Sequence, residues 1–404
     1  MSKWIKLKSI ADLTVGFVGT MAKHYENDGI PFLRSLNIKP FKIVNDDMKY
    51  ISQEFCEKIS KSILHEGDVV IVRTGLPGTC CVVPAEYDGC NCSDVVIVHP
   101  NRELVNAHYL AAFINIWGQR QIHNNKVGAI QQHFNVRSAK EMLIYLPEKE
   151  EQEKIAGVVV AINEKIENNN TICFELEGMA KTLYDYWFVQ FDFPDENGNP
   201  YRSSGGEMIW NEQFKREIPK GWGVKPIIDE FDVCYGYPFD TTKFTEDEDG
   251  VPIIRIRDIL ENTTSAKTLE IVDEKYKVNR GDLIVGMDGN FHMNFWSGHS
   301  ALLNQRCFKI SSLEYSVLIA YFSAEPYIKA REKNVTRTTV GHLSADDVQA
   351  LSVLVPTEPE KRKFSATFDD ILNKICQTRR ENEELTKLRD WLLPMLMNGQ
   401  AQVE

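Results

Sequence analysis

Two stretches of this chain gather side chains suited to a polar polymer. Arg120, Asn124, Lys126, Gln131, Gln132 and His133 form the first group, and Lys329, Arg331, Lys333, Arg337, Thr338, Thr339 and His342 the second. Arginine and lysine suit phosphates and guanine edges, whereas asparagine and glutamine suit adenine edges. Two loops extend the set, each following an apolar run. Arg73-Thr74-Gly75 contributes Arg73 and Thr74, and Met287-Asp288-Gly289-Asn290 contributes Asn290. Taken singly, each residue reads equally well as solvated surface. His133 and His342 stand out because they occupy one position in two related stretches, Gln132-His133-Phe134-Asn135 and Gly341-His342-Leu343-Ser344. Lys329, Arg331 and Lys333 are spaced by two, so one helix face cannot present all three. Phe291, His292, Phe295 and Trp296 read as core in preference to an aromatic contact surface.

Motifs for bond-making chemistry are missing. The chain has no Gly-x-x-x-x-Gly-Lys-Ser/Thr phosphate loop and no Gly-x-Gly-x-x-Gly after a strand-like run. It also lacks the Asn/Asp-Pro-Pro-aromatic run with which an adenine methyltransferase holds a flipped base. Glu-Lys neighbours such as Glu153-Lys154 lie in a helical pattern and read as solvated charge pairs. Cys80, Cys81, Cys90 and Cys92 form the one cysteine cluster, but Cys-Cys with Cys-x-Cys is poor zinc spacing, so reduced thiols are expected. The expectation is a chain with no catalytic residue, metal or cofactor of its own.

What positions the polar groups is a repeat, with matching stretches about 210–220 residues apart. Gly29-Ile30-Pro31-Phe32-Leu33-Arg34 recurs as Gly250-Val251-Pro252-Ile253-Ile254-Arg255, and Glu66-Gly67-Asp68-Val69-Val70-Ile71 as Arg280-Gly281-Asp282-Leu283-Ile284-Val285. Short β-branched runs bounded by turn residues read as strands, and Ala107 to Ile122 and Ser316 to Arg331 carry helical spacing. Each repeat is therefore an α+β domain that passes, after Pro147 or Pro356, into a long helix.

The helical patterns are coiled-coil seams with alternating steps of four and three. The first seam runs Ile155, Val159, Ile162, Ile166, Asn169, Cys173, Leu176, Ala180, Leu183, Trp187. The second, shifted by 209, runs Phe364, Phe368, Ile371, Ile375, Thr378, Asn382, Leu385, Arg389, Leu392, Leu396, and its middle is polar. For both seams to be buried, the second helix must run back antiparallel beside the first. A helix of about 40 residues spans about 60 Å.

The net charge of −12 is unevenly spread. Residues 147–207 hold 13 Asp+Glu against 5 Lys+Arg, whereas residues 1–146 hold 14 against 16. An acidic chain can still present a local basic face, but weak phosphate attraction argues for basic partner subunits. With no run of about 18 apolar residues and a charged N-terminus, no membrane association and a cytoplasmic location are expected.

A long central motif then becomes informative. Tyr184-Asp185-Tyr186-Trp187-Phe188-Val189-Gln190-Phe191-Asp192-Phe193-Pro194 leads into Asp195-Glu196-Asn197-Gly198-Asn199-Pro200-Tyr201-Arg202-Ser203-Ser204-Gly205-Gly206 and Ile218-Pro219-Lys220-Gly221-Trp222. It closely resembles the central region of type I restriction-modification DNA specificity subunits. Leu146-Pro147 followed by Glu151-Gln152-Glu153-Lys154-Ile155-Ala156 resembles the entry to that family's first conserved helix. The resemblance covers nearly the whole chain. It implies an α+β protein with two target-recognition domains, 1–146 and 222–355, separated by two long antiparallel coiled-coil helices, 147–190 and 356–404, with a linker at 191–221. It further implies sequence-specific binding to double-stranded DNA with a two-part target. Two methyltransferase subunits and the restriction or motor subunits would be partners, and S-adenosylmethionine, ATP and Mg2+ would act in them. One departure is plain: the second helix opens Glu358-Pro359-Glu360-Lys361-Arg362-Lys363-Phe364 and does not repeat the Glu-Gln-x-x-Ile pattern. Two alternatives stay open: a specificity subunit of a methyltransferase-only or other non-type-I modification system, and an adaptor that binds protein alone through its coiled coil.

Overall fold

A computed structural model describes residues 3–118, 121, 134–334 and 341–403. The chain divides into two units, Met1–Glu167 with Glu384–Glu404, and Asn168–Glu383. In the first unit, the β-branched runs Val69–Val72 and Val95–Pro100 pair antiparallel at the centre of a four-stranded sheet, flanked by Ala11–Val15 and Cys80–Val82. Both faces of this sheet are covered, so the runs show no polar alternation. Val69, Ile71, Val96 and Val98 pack with Tyr109, Leu110 and Phe113, while Val70, Val72, Val95 and Ile97 pack on the opposite face with Leu33, Cys81 and Cys92. A three-stranded sheet sets Ile30–Leu33 parallel to Asn91–Cys92.

The second unit repeats this plan. Asp232–Tyr235, Cys307–Ser311, Leu283–Gly286 and Met293–Phe295 form the four-stranded sheet in the same order. Val251–Ile254 runs parallel to Ala301–Leu303, as the equivalent pair does in the first unit. The turn after this strand is also repeated. The Arg34 amide donates to Asn37 Oδ1 at 3.0 Å, and the Arg255 amide to Asp258 Oδ2 at 2.9 Å. In each copy the strand before the long helix pairs with the strand that opens the repeat: Leu143–Leu146 with Lys3–Lys6, and Ser352–Val355 with Gly223–Pro226. The helical stretch that begins at Ala107 runs as an α-helix Ala107–Phe113 and then a π turn Ile114–Gly118. Its counterpart is a full helix, Val317–Asn334.

Two long helices complete the fold, Lys149–Tyr184 and Glu358–Met397, and the first continues as a π turn Asp185–Val189. Within each unit their segments run antiparallel. In the first unit Asn163 meets Arg389, and Ile155, Val159, Leu393 and Leu396 share one buried cluster. In the second, Cys173 Sγ faces the Ile375 carbonyl, and Trp187 packs on Phe364 with ring centroids 4.7 Å apart. Phe364, Phe368, Ile371 and Ile375 are buried, Leu176 and Leu183 pack against them, and Ile162, Ile166, Leu385 and Leu392 are half-buried.

The polar middle of the second seam has definite partners. Asn169, buried, donates to Asn382 Oδ1 at 2.9 Å, and Asn382 donates to Asn170 Oδ1 at 2.8 Å. Arg389 lies 4.5 Å from the Phe41 ring and donates to Asn163 Oδ1 at 2.8 Å. A guanidinium can stack on an aromatic face while its edge bonds sideways, so Arg389 is accommodated without being fully buried.

The degenerate entry of the second helix also makes sense in space. Gln152 is buried; its amide accepts from the Asn106 N–H at 2.9 Å and donates to the Pro147 carbonyl at 2.9 Å. At the position 209 residues later, Lys361 is buried, bonded to Glu230 Oε2 at 2.6 Å, and set over the Tyr315 ring at 5.2 Å. One copy ties its helix to its domain with an amide, the other with an ion pair. The central motif is an aromatic core: Phe188, Phe191, Phe193 and Phe364 surround Trp222, whose Nε1 donates to Glu360 Oε2 at 2.9 Å. Among the described residues no helix is long and apolar enough to cross a membrane.

Candidate nucleic-acid interface

In both units, three loop segments meet where the central sheet strands end. In the first unit, the Arg73 amide donates to the Asp94 carbonyl at 3.0 Å, and the Phe134 amide to the Arg73 carbonyl at 3.1 Å. In the second, the Met287 amide donates to the Arg306 carbonyl at 2.9 Å, and the Leu343 amide to the Met287 carbonyl at 2.8 Å. The two nets are the same net, with Arg73, Asp94 and Phe134 standing where Met287, Arg306 and Leu343 stand. Strand register agrees, since Val72 faces Val95 as Gly286 faces Cys307. The loops that carry Arg73 and Asn290 therefore lie against the segments that lead from the two polar groups seen in sequence.

Side chains at this loop cluster are organised around one carboxylate in the second unit. Asp288 Oδ1 lies 2.7 Å from His342 Nδ1, and Asp288 Oδ2 lies 2.9 Å from Arg306 Nη1. The Asp288 side chain is 22% exposed, against 55% for His342 and 60% for Arg306. A mostly covered carboxylate thus engages one exposed imidazole and one exposed guanidinium. A backbone bridge between Asp288 and His342, with the Gly289 amide donating to the Gly341 carbonyl at 2.9 Å, fixes the underlying loops. Gly289 has φ +71, a conformation that suits glycine. In the first unit, Arg73 Nε reaches the Phe134 carbonyl at 3.3 Å, Thr74 is half-buried, and Asp94 is exposed.

The other candidates separate. Lys329 and Arg331 sit on the helix Val317–Asn334, where Lys329 pairs with Glu325 at 2.6 Å and Arg331 with Asp347 at 3.1 Å; Lys333 is exposed on the same helix. Arg120, Asn124, Lys126, Gln131, Gln132, His133, Arg337, Thr338 and Thr339 lie outside the described residues. Phe291, Phe295 and Trp296 are buried, as core residues should be. Asp94 and Arg306, which are not among the candidates drawn from sequence, also lie at this loop cluster. Their signal was positional: each immediately precedes the strand that pairs with the central run.

The cysteine cluster is divided by strand geometry. Cys80 and Cys81 are neighbours on one strand and point to opposite faces. Cys80 joins the cluster around Tyr109, with Sγ 3.3 Å from the Ala111 carbonyl, while Cys81, Cys90 and Cys92 join the other. Burial pushes the Cys90 thiol up to about 12 and those of Cys80 and Cys92 well above their ordinary value. Among the described residues no group of three or more His, Cys, Asp or Glu is placed to hold a metal ion.

Comparison with known proteins follows the same two-fold pattern. A family model for the type I restriction modification DNA specificity domain matches residues 1–178 and 219–387. The chain is 22% identical over 418 residues to the type I restriction enzyme MjaIX specificity subunit of Methanocaldococcus jannaschii, covering 99% of this chain and 93% of that one. Over 158 residues, 39% of this chain and 33% of the other, it is 34% identical to the EcoBI specificity subunit of Escherichia coli. In fold it is similar to the crystal structure of the type I restriction-modification S subunit from M. genitalium. The TM-score is 0.56 at 15% identity, with 98% and 96% of the two chains covered.

Proposed function

The chain belongs to the type I restriction modification DNA specificity family, and from that membership we propose that its two repeats each read one half of a two-part double-stranded DNA target. The chain is the non-catalytic recognition component. Its paired helices dock two methyltransferase subunits and, for cleavage, restriction or motor subunits; S-adenosylmethionine, ATP and Mg2+ act in those partners. The observation that carries this reading is the family match to both repeats, each of which passes into one long helix. The loop cluster at the strand ends supports it locally, with Arg73, Thr74, Asn290 and His342 offering donors and acceptors to phosphates and base edges. Arg120, Asn124, Lys126, Gln131, Gln132, His133, Arg337, Thr338 and Thr339 are proposed as DNA-contacting residues on their side-chain chemistry alone.

The test is modified-base sequencing of DNA from cells that carry the methyltransferase partner with and without this chain. Modified adenines at a single two-part motif, present only with the chain, are the expected result. Modification that is independent of the chain, or confined to an undivided motif, would overturn the reading.

A further inference from the structure

The equivalence of Asp94 and Arg306 carries an inference beyond the general function, and it rests on the reading that these domains bind DNA. The carbonyls of these two residues accept the same hydrogen bond, from Arg73 in one copy and from Met287 in the other. Both side chains are exposed, and their charges are opposite. Contacts to phosphate position a protein on any sequence and need a donor or a cation. A position that served phosphate in both copies could not be an acid in one of them. Contacts to base edges can change sign freely, because guanine presents O6 and N7 acceptors while cytosine presents an N4 donor.

We propose that this shared position is a sequence-reading position in each domain, with Arg306 specifying a guanine in one half of the target and Asp94 a cytosine in the other. Asp288 is the positioning residue for Arg306. Its Oδ2 takes one guanidinium nitrogen at 2.9 Å, and its Oδ1 is held by His342 Nδ1 at 2.7 Å. An arginine oriented in this way loses less side-chain freedom on meeting a guanine edge. Asp94 is oriented by its backbone, with φ +57, a region that aspartate and asparagine tolerate better than most residues.

The experiment uses the chain assembled with its methyltransferase partner and reads the modified motif by base-modification sequencing. Arg306→Gln is expected to relax or change one position in one half only, with discrimination at that position falling roughly 10- to 100-fold. Asp94→Asn is expected to do the same in the other half, and because its side chain is exposed and asparagine accepts the same backbone, the variant keeps the parent's melting temperature. Asp288→Asn is expected to weaken discrimination in the Arg306 half of the target, at the Arg306 position above all, and to leave the Asp94 half unchanged. An unchanged motif with uniformly weaker modification and a shallower salt dependence would mean phosphate contact and overturn the proposal. So would an unchanged motif at parental efficiency, or changes in both halves from one substitution. Failure of the parent complex to modify any two-part motif would instead overturn the DNA-reading function itself.

Discussion

At the scale of single residues, equivalent positions of the repeat carry different chemistry on one backbone. Asp68 and Asp282 are both nearly buried at the start of the central strand, yet Asp68 meets His99 Nδ1 at 2.8 Å and Asp282 meets Lys309 Nζ at 3.4 Å. The hydrogen bond to Asp68 raises the His99 value; partial burial opposes it and the charges of Asp68 and Asp12 add to it. A folded value above the unfolded value of about 6.5 means that protonated His99 stabilises the fold. That contribution is complete below about pH 6.5 and is lost as pH rises through the higher folded value. The stability of the chain, followed by denaturant unfolding between pH 5.5 and 8.5, should show this loss, and His99→Gln should flatten it. An equally steep profile in the variant would place the titration elsewhere.

At the scale of elements, the long helices are held to their domains by buried polar anchors as well as by the seam. Burial alone would push the Glu230 carboxyl up, but hydrogen bonds from Lys225 and Lys361 overcome it and hold the group below its ordinary value. Lys361→Ala removes the more buried partner and leaves Glu230 with Lys225 only. A cost of about 3 kcal/mol is expected, near the lower end for breaking a buried pair because one cation remains. Denaturant unfolding measures it, and a loss under about 1 kcal/mol would show that Lys225 alone suffices. The aromatic seam gives a second prediction. Phe368 is fully buried against Trp187 and Phe188, so Phe368→Ala should cost about 3–5 kcal/mol. Asn169, buried and bonded to Asn382 and Glu381, explains why the seam turns polar there, since a buried amide with partners specifies register at some expense of stability.

At the scale of the whole molecule, the repeat makes the proposed function divisible. Replacing residues 208–355 by a homologous domain should change one half of the modified motif and leave the other intact; a change in both halves would mean that the domains read jointly. The helices supply a second prediction. Lys149–Tyr184 is one unbroken helix of 36 residues, about 54 Å at ~1.5 Å per residue. Removing one heptad from each long helix at matched positions keeps the seam in register and shortens it by about 10 Å, about three base pairs at ~3.4 Å each. The unspecified gap of the motif should shorten while both half-sites persist, with DNA bending or twisting able to absorb part of the change at a few kcal/mol. A folded, active variant that kept the parent's gap would assign the spacing to the methyltransferase subunits.

The fold class and the paired long helices were legible in sequence because they rest on local periodicity, and the repeat because whole stretches recur about 210–220 residues apart. Runs such as Val69–Val72 announce buried strands, and steps of four and three announce a paired helix, whatever lies around them. The central aromatic motif was legible as a family mark, but its work as the packing around Trp222 appears only when Phe188, Phe193 and Phe364 come together. Lys361 read as a departure from the Gln152 pattern, because sequence does not show that Glu230, 131 residues away, waits to receive it. The same limit hid Asp94 and Arg306. Neither belongs to a motif, and their equivalence rests on strand pairing and one backbone hydrogen bond in each copy. Periodicity is local and is written in the chain; the meeting of loops from distant strand ends depends on sheet order and register, and these are decided only when the whole domain packs.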